Sequence, residues 1–240
     1  MNYAIILAGG IGVRFGDAGT PKQYVELNGM PLMMYSLKTA ELNSHIDAVV
    51  VVAAKKYWEL IQEWIDKYKI TKVIGFADSG RLRYESVYNG LSAIDGHKDD
   101  TVMIMTSVCP LLSQKTVDQH YEEIKHADGV ITVIRATDAI TYSNDGKFAS
   151  RTLQKDRLFV QQGPQTYKYK LLKEAHDAYR NIENRAEVFE DSELVLNLGA
   201  DIAMVMGDRY CVKVTYPEDL AIAQALLPMF MLQEASLLLK

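Results

Sequence analysis

A doubly wound α/β fold with a mostly parallel (Rossmann-like) sheet is predicted by three features of this 240-residue chain. Short β-branched runs alternate with longer segments of helical periodicity. Most of the short runs are apolar throughout, as strands covered on both faces of a parallel sheet must be. The first run ends in a glycine-rich turn, at the carboxyl end of a strand, where open α/β sheets receive ligands.

Strands are expected at Tyr3–Leu7, Ala48–Ala54, Lys72–Phe76, Val102–Met105, Val130–Ile134 and Ile202–Met206. Helices are expected at Pro31–Leu42, Tyr57–Tyr68, Arg83–Ile94, Lys115–Lys125 and Tyr169–Tyr179. Trp58, Ile61, Trp64 and Ile65 fall on one helical face. Ala139–Tyr142 and Phe148–Leu153, joined by Ser143-Asn144-Asp145-Gly146, predict a β-hairpin. This β-arm, about residues 136–157, departs from the βα rhythm; it folds onto its own domain or reaches a partner subunit. The apolar tail 228–240 lacks basic residues apart from Lys240, so it is expected to dock on its own domain or a partner rather than on a membrane. No linker or repeat divides the chain, which predicts a single domain over 1–240.

Composition narrows the function. With 48% hydrophobic and 24% charged residues the chain can build a core, which argues against disorder. A net charge of −5 without a basic block argues against nucleic-acid coating. Two cysteines, Cys109 and Cys211, cannot make a secreted disulfide framework, and the opening residues do not resemble a signal peptide. A cytoplasmic protein is expected.

The first turn reads Leu7-Ala8-Gly9-Gly10-Ile11-Gly12-Val13-Arg14. Gly9, Gly10 and Gly12 let backbone N–H groups approach phosphate oxygens, and Arg14 offers a fork of donors. Pro21-Lys22-Gln23-Tyr24 follows and delivers a lysine that could return to the same loop. A solvated glycine turn is the plainer reading. A dinucleotide site is disfavoured, because Ala53-Ala54-Lys55 stand where a ribose-binding carboxylate belongs. The P-loop pattern fails for want of Gly-Lys-Ser/Thr.

These two motifs together resemble the opening of the cytidylyltransferases that make CDP-alditols, the ribitol-5-phosphate and methylerythritol-4-phosphate enzymes. The Leu-Ala-Gly-Gly wording is nearer the ribitol members. The likeness runs from Tyr3 to about Leu227. The resemblance implies a nucleotidyltransferase-type fold and transfer of CMP from CTP to a polyol phosphate, ribitol 5-phosphate first, glycerol phosphate or another short polyol phosphate next, methylerythritol 4-phosphate below both. It implies that Leu7, Ala8 and the three glycines hold the nucleotide while Arg14, Lys22 and Lys213 carry catalysis. Ser79-Gly80-Arg81-Leu82-Arg83-Tyr84-Glu85-Ser86-Val87 is similar to the family's base-reading segment, which implies nucleotide contacts from Gly80, Arg83 and Ser86. A routine helix serine is the alternative for Ser86. Gln162-Gly163-Pro164-Gln165-Thr166-Tyr167 matches a family turn. Lys155 falls where relatives carry an arginine on the dimer arm, implying an acceptor contact in trans within a homodimer. Cys211-Val212-Lys213-Val214-Thr215-Tyr216-Pro217-Glu218-Asp219-Leu220 matches the segment that implies Lys213 as an acceptor-phosphate ligand, while Pro217 and the two acids suit a helix start.

Ser79 replaces a family glycine and Gly163 a threonine, and three further departures cluster. The family's aspartate, an expected magnesium ligand, is Ser107, its arginine is Cys109, and its asparagine is Cys211. These three departures fall on the acceptor and metal floor, with Ser107 retained as an acceptor-side candidate. Either the acceptor has changed, with Mg²⁺ held largely by the triphosphate, or the chain binds CTP without turnover. Glu190 and Asp191 either replace the lost carboxylate or form the acidic first turn of a helix. Zinc would need more than two thiols. His45, His97, His120, His126 and His176 show no metal spacing and are expected at the solvated surface. CDP-polyols feed teichoic acid or capsule polymers, as the resemblance implies.

Overall fold

The computed structural model describes residues 1–12, 15, 20–183 and 186–237, the last of these without its side chain. Seven strands form one sheet in the order β11-β7-β10-β6-β1-β4-β5. They are β1 (Asn2–Leu7), β4 (Ala48–Val52), β5 (Val73–Ala77), β6 (Thr101–Thr106), β7 (Gly129–Arg135), β10 (Phe159–Lys168) and β11 (Ile202–Met206). β1 runs parallel to β4 and β6, β4 to β5, and β7 to β11. β10 alone is antiparallel, between β6 and β7. A small hairpin, β2 (Glu26–Leu27) with β3 (Met30–Pro31), follows the first turn.

The strands are apolar on both faces because helices cover both. Ala4, Ile6, Val49, Val51, Met103 and Met105 pack beneath α1 (Leu32–Leu42), α2 (Trp58–Lys67) and α4 (Gln114–Glu123). Their neighbours Tyr3, Ile5, Val50, Val52, Val102 and Ile104 face α3 (Arg83–Ser92), α5 (Tyr169–Arg180) and α6 (Asp191–Leu196). Each fully buried isoleucine of the pair Ile5 and Ile6 stabilises the fold by about 1.5–3 kcal/mol through removal from water. Ile61 and Ile65 of α2 are buried as the helical pattern requires, with Trp58 and Trp64 partly buried beside them. Gly90 lets α3 sit directly on the sheet: a Cβ there would lie 2.8 Å from Ile5 Cγ2 and 2.9 Å from Val52 Cγ2.

The expected strands and helices recur with ends moved by a few residues. Three readings change. The Gln162–Tyr167 stretch is part of the ten-residue strand β10 rather than a turn, and its ladder is interrupted between Gln162 and Gln165. Glutamines, a glycine and a proline imitate a turn; the irregularity absorbs Pro164, which has no N–H for a ladder. The apolar tail is no separate element: α7 (Pro217–Leu237) runs through Pro228. Its start is held by Asp219, whose carboxylate accepts from the N–H groups of Thr215 (2.7 Å) and Tyr216 (2.8 Å). Ala223, Leu227 and Phe230 dock it onto Leu27, Leu32, Val108 and Leu111 of the same chain.

The histidine expectation fails for two of the five. His120 and His176 are fully buried. His120 lies between two threonine hydroxyls, with Nδ1 to Thr166 at 2.8 Å and Nε2 to Thr132 at 2.8 Å. Thr132 donates its own proton to the Pro164 carbonyl. It therefore accepts from Nε2–H, which leaves Nδ1 to accept from Thr166. Burial pushes His120 down to about 3, so the ring is neutral at ordinary pH.

The β-arm is present as β8 (Ile140–Tyr142) paired antiparallel with β9 (Arg151–Leu153). Asp145 closes its turn by accepting from the N–H groups of Lys147 and Phe148 at 2.9 Å, and Gly146 takes the positive φ of 72°. Among the described residues no helix is long and apolar enough to cross a membrane.

Candidate active site

β1 ends beside the ends of β4 and β6, and the glycine turn starts there. The Ala8 N–H bonds to the Val52 carbonyl (2.7 Å), and the Leu7 carbonyl accepts from the Ser107 N–H (3.1 Å). Beyond that point the carbonyls of the turn are pulled inward. Gln23, 2% exposed, donates its amide to the carbonyls of Ala8 (2.7 Å) and Gly10 (2.8 Å). The Tyr24 hydroxyl donates to Ala8 as well. Among the described residues, none of the N–H groups of Gly9, Gly10, Ile11 and Gly12 has an acceptor. A backbone with carbonyls satisfied behind it and donors left in front is suited to receive phosphate oxygens.

Glycine is required here for different reasons. A Cβ on Gly9 would sit 2.2 Å from the Ser79 Cβ, so the turn is packed against the loop after β5. Gly12 has φ +71°, where L side chains are strained. The space around Gly10 is open. A cleft of ≈ 250 Å³ runs along the turn, lined among others by Gly9, Gly10, Thr20, Gln23, Lys56 and Tyr57. A larger hollow of ≈ 410 Å³ on the other side of Gly80 is lined by Tyr84, Glu85, Asn89 and Arg180 and shares only Gly80 with the predicted site.

Lys22 does return to the turn: its backbone N lies 3.5 Å, and its Cγ 3.7 Å, from a Cβ built on Gly12. It also lies close enough to Cys109 for its charge to act on that thiol, as does Lys213. The structure thus gathers Gly12, Lys22, Cys109 and Lys213 at one end of the sheet. Arg14 lies outside the described residues. Lys155 is exposed after the arm, in a short turn over Lys155–Arg157, and makes no contact with this group among the described residues.

Ser107 and the base-side segment are occupied otherwise. The Ser107 hydroxyl is 2% exposed and donates to the Leu7 carbonyl at 2.7 Å, strapping β6 to β1. Ser86 accepts from the Gly80 N–H at 3.0 Å, and Glu85 accepts from the N–H groups of Arg81 and Leu82. These bonds fix the loop against Gly9. The Arg83 guanidinium is in an ion pair: it bonds to buried Asp191 and, at 3.1 Å, to Glu190. Burial alone would raise Asp191, but the Arg83 charge and a 2.9 Å bond from His176 Nε2 hold its carboxyl below the usual range. Glu190 also accepts from Gln165, which in turn accepts from Tyr167 at 2.6 Å. Asp191 opens α6 as an acidic first turn should, and it also anchors α3 and α5.

Among the described residues the floor offers no carboxylate cluster, which leaves a Mg²⁺ to be held largely by triphosphate oxygens. The floor offers the thiols Cys109 and Cys211, soft donors, where Mg²⁺ takes oxygens. Among the described residues no three His, Cys, Asp or Glu side chains converge as a metal site.

Sequence reasoning singled out Lys22 and passed over Gln23 beside it. The signal was a polar amide inside an otherwise packed Pro-Lys-Gln-Tyr run. Gln165 was missed because its acceptor Glu190 lies far along the chain, and His176 was missed although it falls on the buried stripe of its helix.

A mostly parallel sheet whose first strand delivers a donor-rich glycine turn, with two lysines converging beyond it, defines an α/β nucleotide-binding fold of the nucleotidyltransferase type. Comparison with solved structures agrees: the 4-diphosphocytidyl-2C-methyl-D-erythritol synthase of Anaerococcus prevotii superposes with a TM-score of 0.82 at 24% identity, covering 95% of this chain and 96% of that one. The family model described as IspD, 2-C-methyl-D-erythritol 4-phosphate cytidylyltransferase, matches residues 2–229, and the chain belongs to that family of cytidylyltransferases. A Geobacillus thermodenitrificans relative named 2-C-methyl-D-erythritol 4-phosphate cytidylyltransferase is 32% identical, over 95% of this chain and 97% of its own. A Streptococcus agalactiae relative named ribitol-5-phosphate cytidylyltransferase is 27% identical, over 94% and 95%. The order of acceptors expected from the opening motif is therefore not the order of similarity.

Proposed function

We propose that the chain transfers CMP from CTP to the phosphate of a short polyol phosphate, with 2-C-methyl-D-erythritol 4-phosphate as the first acceptor. The observation that carries the transfer is the convergence of the Gly9–Gly12 donors, Lys22 and Lys213 at the carboxyl end of β1. An acceptor phosphate oxygen attacks the α-phosphorus of CTP in line, the bond to the β-phosphate breaks, and pyrophosphate leaves. The protein supplies position and charge rather than a nucleophile. The glycine turn holds the phosphates, Lys22 and Arg14 meet the charge that builds on the α-phosphate, and Lys213 holds the acceptor. The loop Ser79–Ser86, braced by Glu85 and Ser86, shapes the base side through its backbone. The order of acceptors rests on the higher identity to the relative carrying the methylerythritol name, 32% against 27%.

Ribitol 5-phosphate is the second reading, favoured by the Leu7-Ala8-Gly9-Gly10 wording, and the floor at Ser107 and Cys109, without the family's aspartate and arginine, also admits glycerol phosphate. Exposed Phe148 on the arm supports assembly of two copies through it, which would bring Lys155 to a partner's acceptor. The test is pyrophosphate release from CTP with each acceptor alone. Release with 2-C-methyl-D-erythritol 4-phosphate at the highest kcat/KM supports the first reading; preference for ribitol 5-phosphate replaces it; binding of CTP with no release for any acceptor defeats the transfer.

A further inference from the structure

Cys109 and Cys211 are the only two cysteines of the chain. Both are free and buried, at 5% and 7% exposure, and both belong to the same packed cluster. They arrive from distant parts of the sequence, on the loop after β6 and the loop before α7. The Val214 N–H bonds to the Val108 carbonyl at 2.9 Å and holds those loops side by side. The Cys211 end is pinned further by its N–H to the Asp208 carbonyl (3.0 Å) and by Gln162, which donates to the Cys211 carbonyl (3.4 Å).

We propose that Cys109 and Cys211 are a reversible oxidation site, at which a hydroperoxide links the two thiols as a disulfide across the floor between Lys22 and Lys213. The surroundings divide the labour. The neighbouring Cys211 thiol holds Cys109 below its ordinary value, with Lys213 and Lys22 adding to the effect against burial. Cys211 is pushed well up by its Cys109 neighbour and by burial, so the pair gives up one proton readily and keeps the other. Lysine charge beside a thiol favours the thiolate, the form that attacks peroxides.

The Cys109 thiolate attacks a peroxide oxygen. The O–O bond breaks, and the departing hydroxide takes a proton to become water, or an alcohol from an organic hydroperoxide. Cys109 is now a sulfenic acid. Cys211 gives up its proton as its sulfur attacks Cys109 Sγ; the S–S bond forms, the S–O bond breaks, and the second hydroxide leaves as water. Two thiols have lost two electrons, and the peroxide has gained them. Near exclusion from solvent admits a small oxidant and resists bulky alkylating reagents. The link ties the chain two residues after Ser107 to the chain two residues before Lys213. It is therefore expected to lower turnover, a consequence that rests on the proposed transfer reaction, whereas the link itself does not.

The full chain is treated with hydrogen peroxide, the peroxide is removed, the chain is unfolded in guanidinium so that any remaining free thiol is reachable and trapped with N-ethylmaleimide, and the digest is read by mass spectrometry. The expected product is a Cys109–Cys211 peptide pair, two hydrogens lighter than the reduced peptides and released by dithiothreitol, with CTP turnover falling and returning in step. C109A and C211A, checked for native circular dichroism, should each give no intramolecular link. Should either variant fail to fold, mapping of the wild-type chain alone decides. Thiols that both stay alkylatable, or that reach sulfinic acid without linking, overturn the site. A quantitative link that leaves turnover unchanged overturns its effect on the floor. A chain inactive in both redox states counts against the transfer reading, and the mass of the linked peptides still decides the disulfide.

Discussion

The two halves of the proposed site, one for the nucleotide and one for the acceptor, are built by opposite means. On the nucleotide side the turn is held from behind by Gln23, Tyr24 and Ser79, so its donors stand in front with no side chain needed to aim them. On the acceptor side the floor carries a serine committed to a backbone carbonyl and two thiols, and its charge comes from lysines at the rim. The contrast teaches that, in the proposed reading, the nucleotide half is preorganised by backbone geometry, while the acceptor half depends on a few side chains.

The sharpest way to break this comparison is Lys22→Ala. It removes a charge and leaves the Gln23 clamp in place, so kcat should fall by about 10²–10³, the loss typical of one electrostatic contact to a transition state. The melting temperature should fall by no more than a few degrees, since a half-buried side chain at the rim is replaced. Pyrophosphate release together with calorimetry checks both. Near-normal turnover would take Lys22 out of the mechanism.

Gln23→Ala probes the support instead of the charge. The Gly10 carbonyl loses its donor and the Ala8 carbonyl keeps only the Tyr24 hydroxyl, at a cost of about 1–3 kcal/mol for a group left buried and unpaired. The glycine turn loosens, so KM for CTP should rise about tenfold with a smaller change in kcat. Titration calorimetry of CTP and steady-state kinetics separate this from a general loss of fold.

Ser107→Asp tests the acceptor half. If the serine merely marked a lost metal ligand, an aspartate would raise metal-dependent activity. The position is buried and faces the Leu7 carbonyl, so a carboxylate there meets another oxygen without a donor. The expected result is a loss of about 1–3 kcal/mol in unfolding free energy and no gain in turnover. An activity increase with Mg²⁺ would mean the side chain swings into the site.

The last prediction concerns acid stability and leaves turnover aside. The unfolded imidazole binds a proton below about 6.5, whereas His120 in the fold does so only at about 3. The unfolded state then holds more protons between those values, and stability falls as pH drops through that window. Above it the contribution is complete. Melting temperatures from pH 7 to 4 should decline less steeply for His120→Gln than for wild type. Asp191 and Asp100, both lowered in the fold, add their own losses below the ordinary carboxylate range.

What the sequence revealed follows from the range of the interactions involved. β1, β4 and β6 were legible because runs such as Val49-Val50-Val51-Val52 have no role except burial on both faces. β10 was not, because its central residues are polar and bond to partners from elsewhere: Gln162 to the Cys211 loop, Gln165 to Glu190, Thr166 to His120. The two buried histidines did carry a local signal. His120 falls three residues after Val117 and four before Ile124, and His176 falls four after Leu172 and three before Tyr179. Each thus lies on the buried stripe of its own helix, which argues for a core position whatever the residue type. Lys22 was legible through its motif, while the ion pair of Arg83 with Asp191 joins residues that no pattern along the chain connects.

The placement of β10 has a consequence for assembly. β7 and β11 reach the rest of the sheet only through it, since β7 pairs with β10 and β11 and with no other strand. Residues 1–106 can bring together β1, β4, β5 and β6 as soon as they leave the ribosome, each crossing over to a parallel neighbour. The outer strands must wait until residues 159–168 emerge and are threaded beside β6. A nascent chain halted before that segment would carry a bare β6 edge, the kind of edge that other chains pair with.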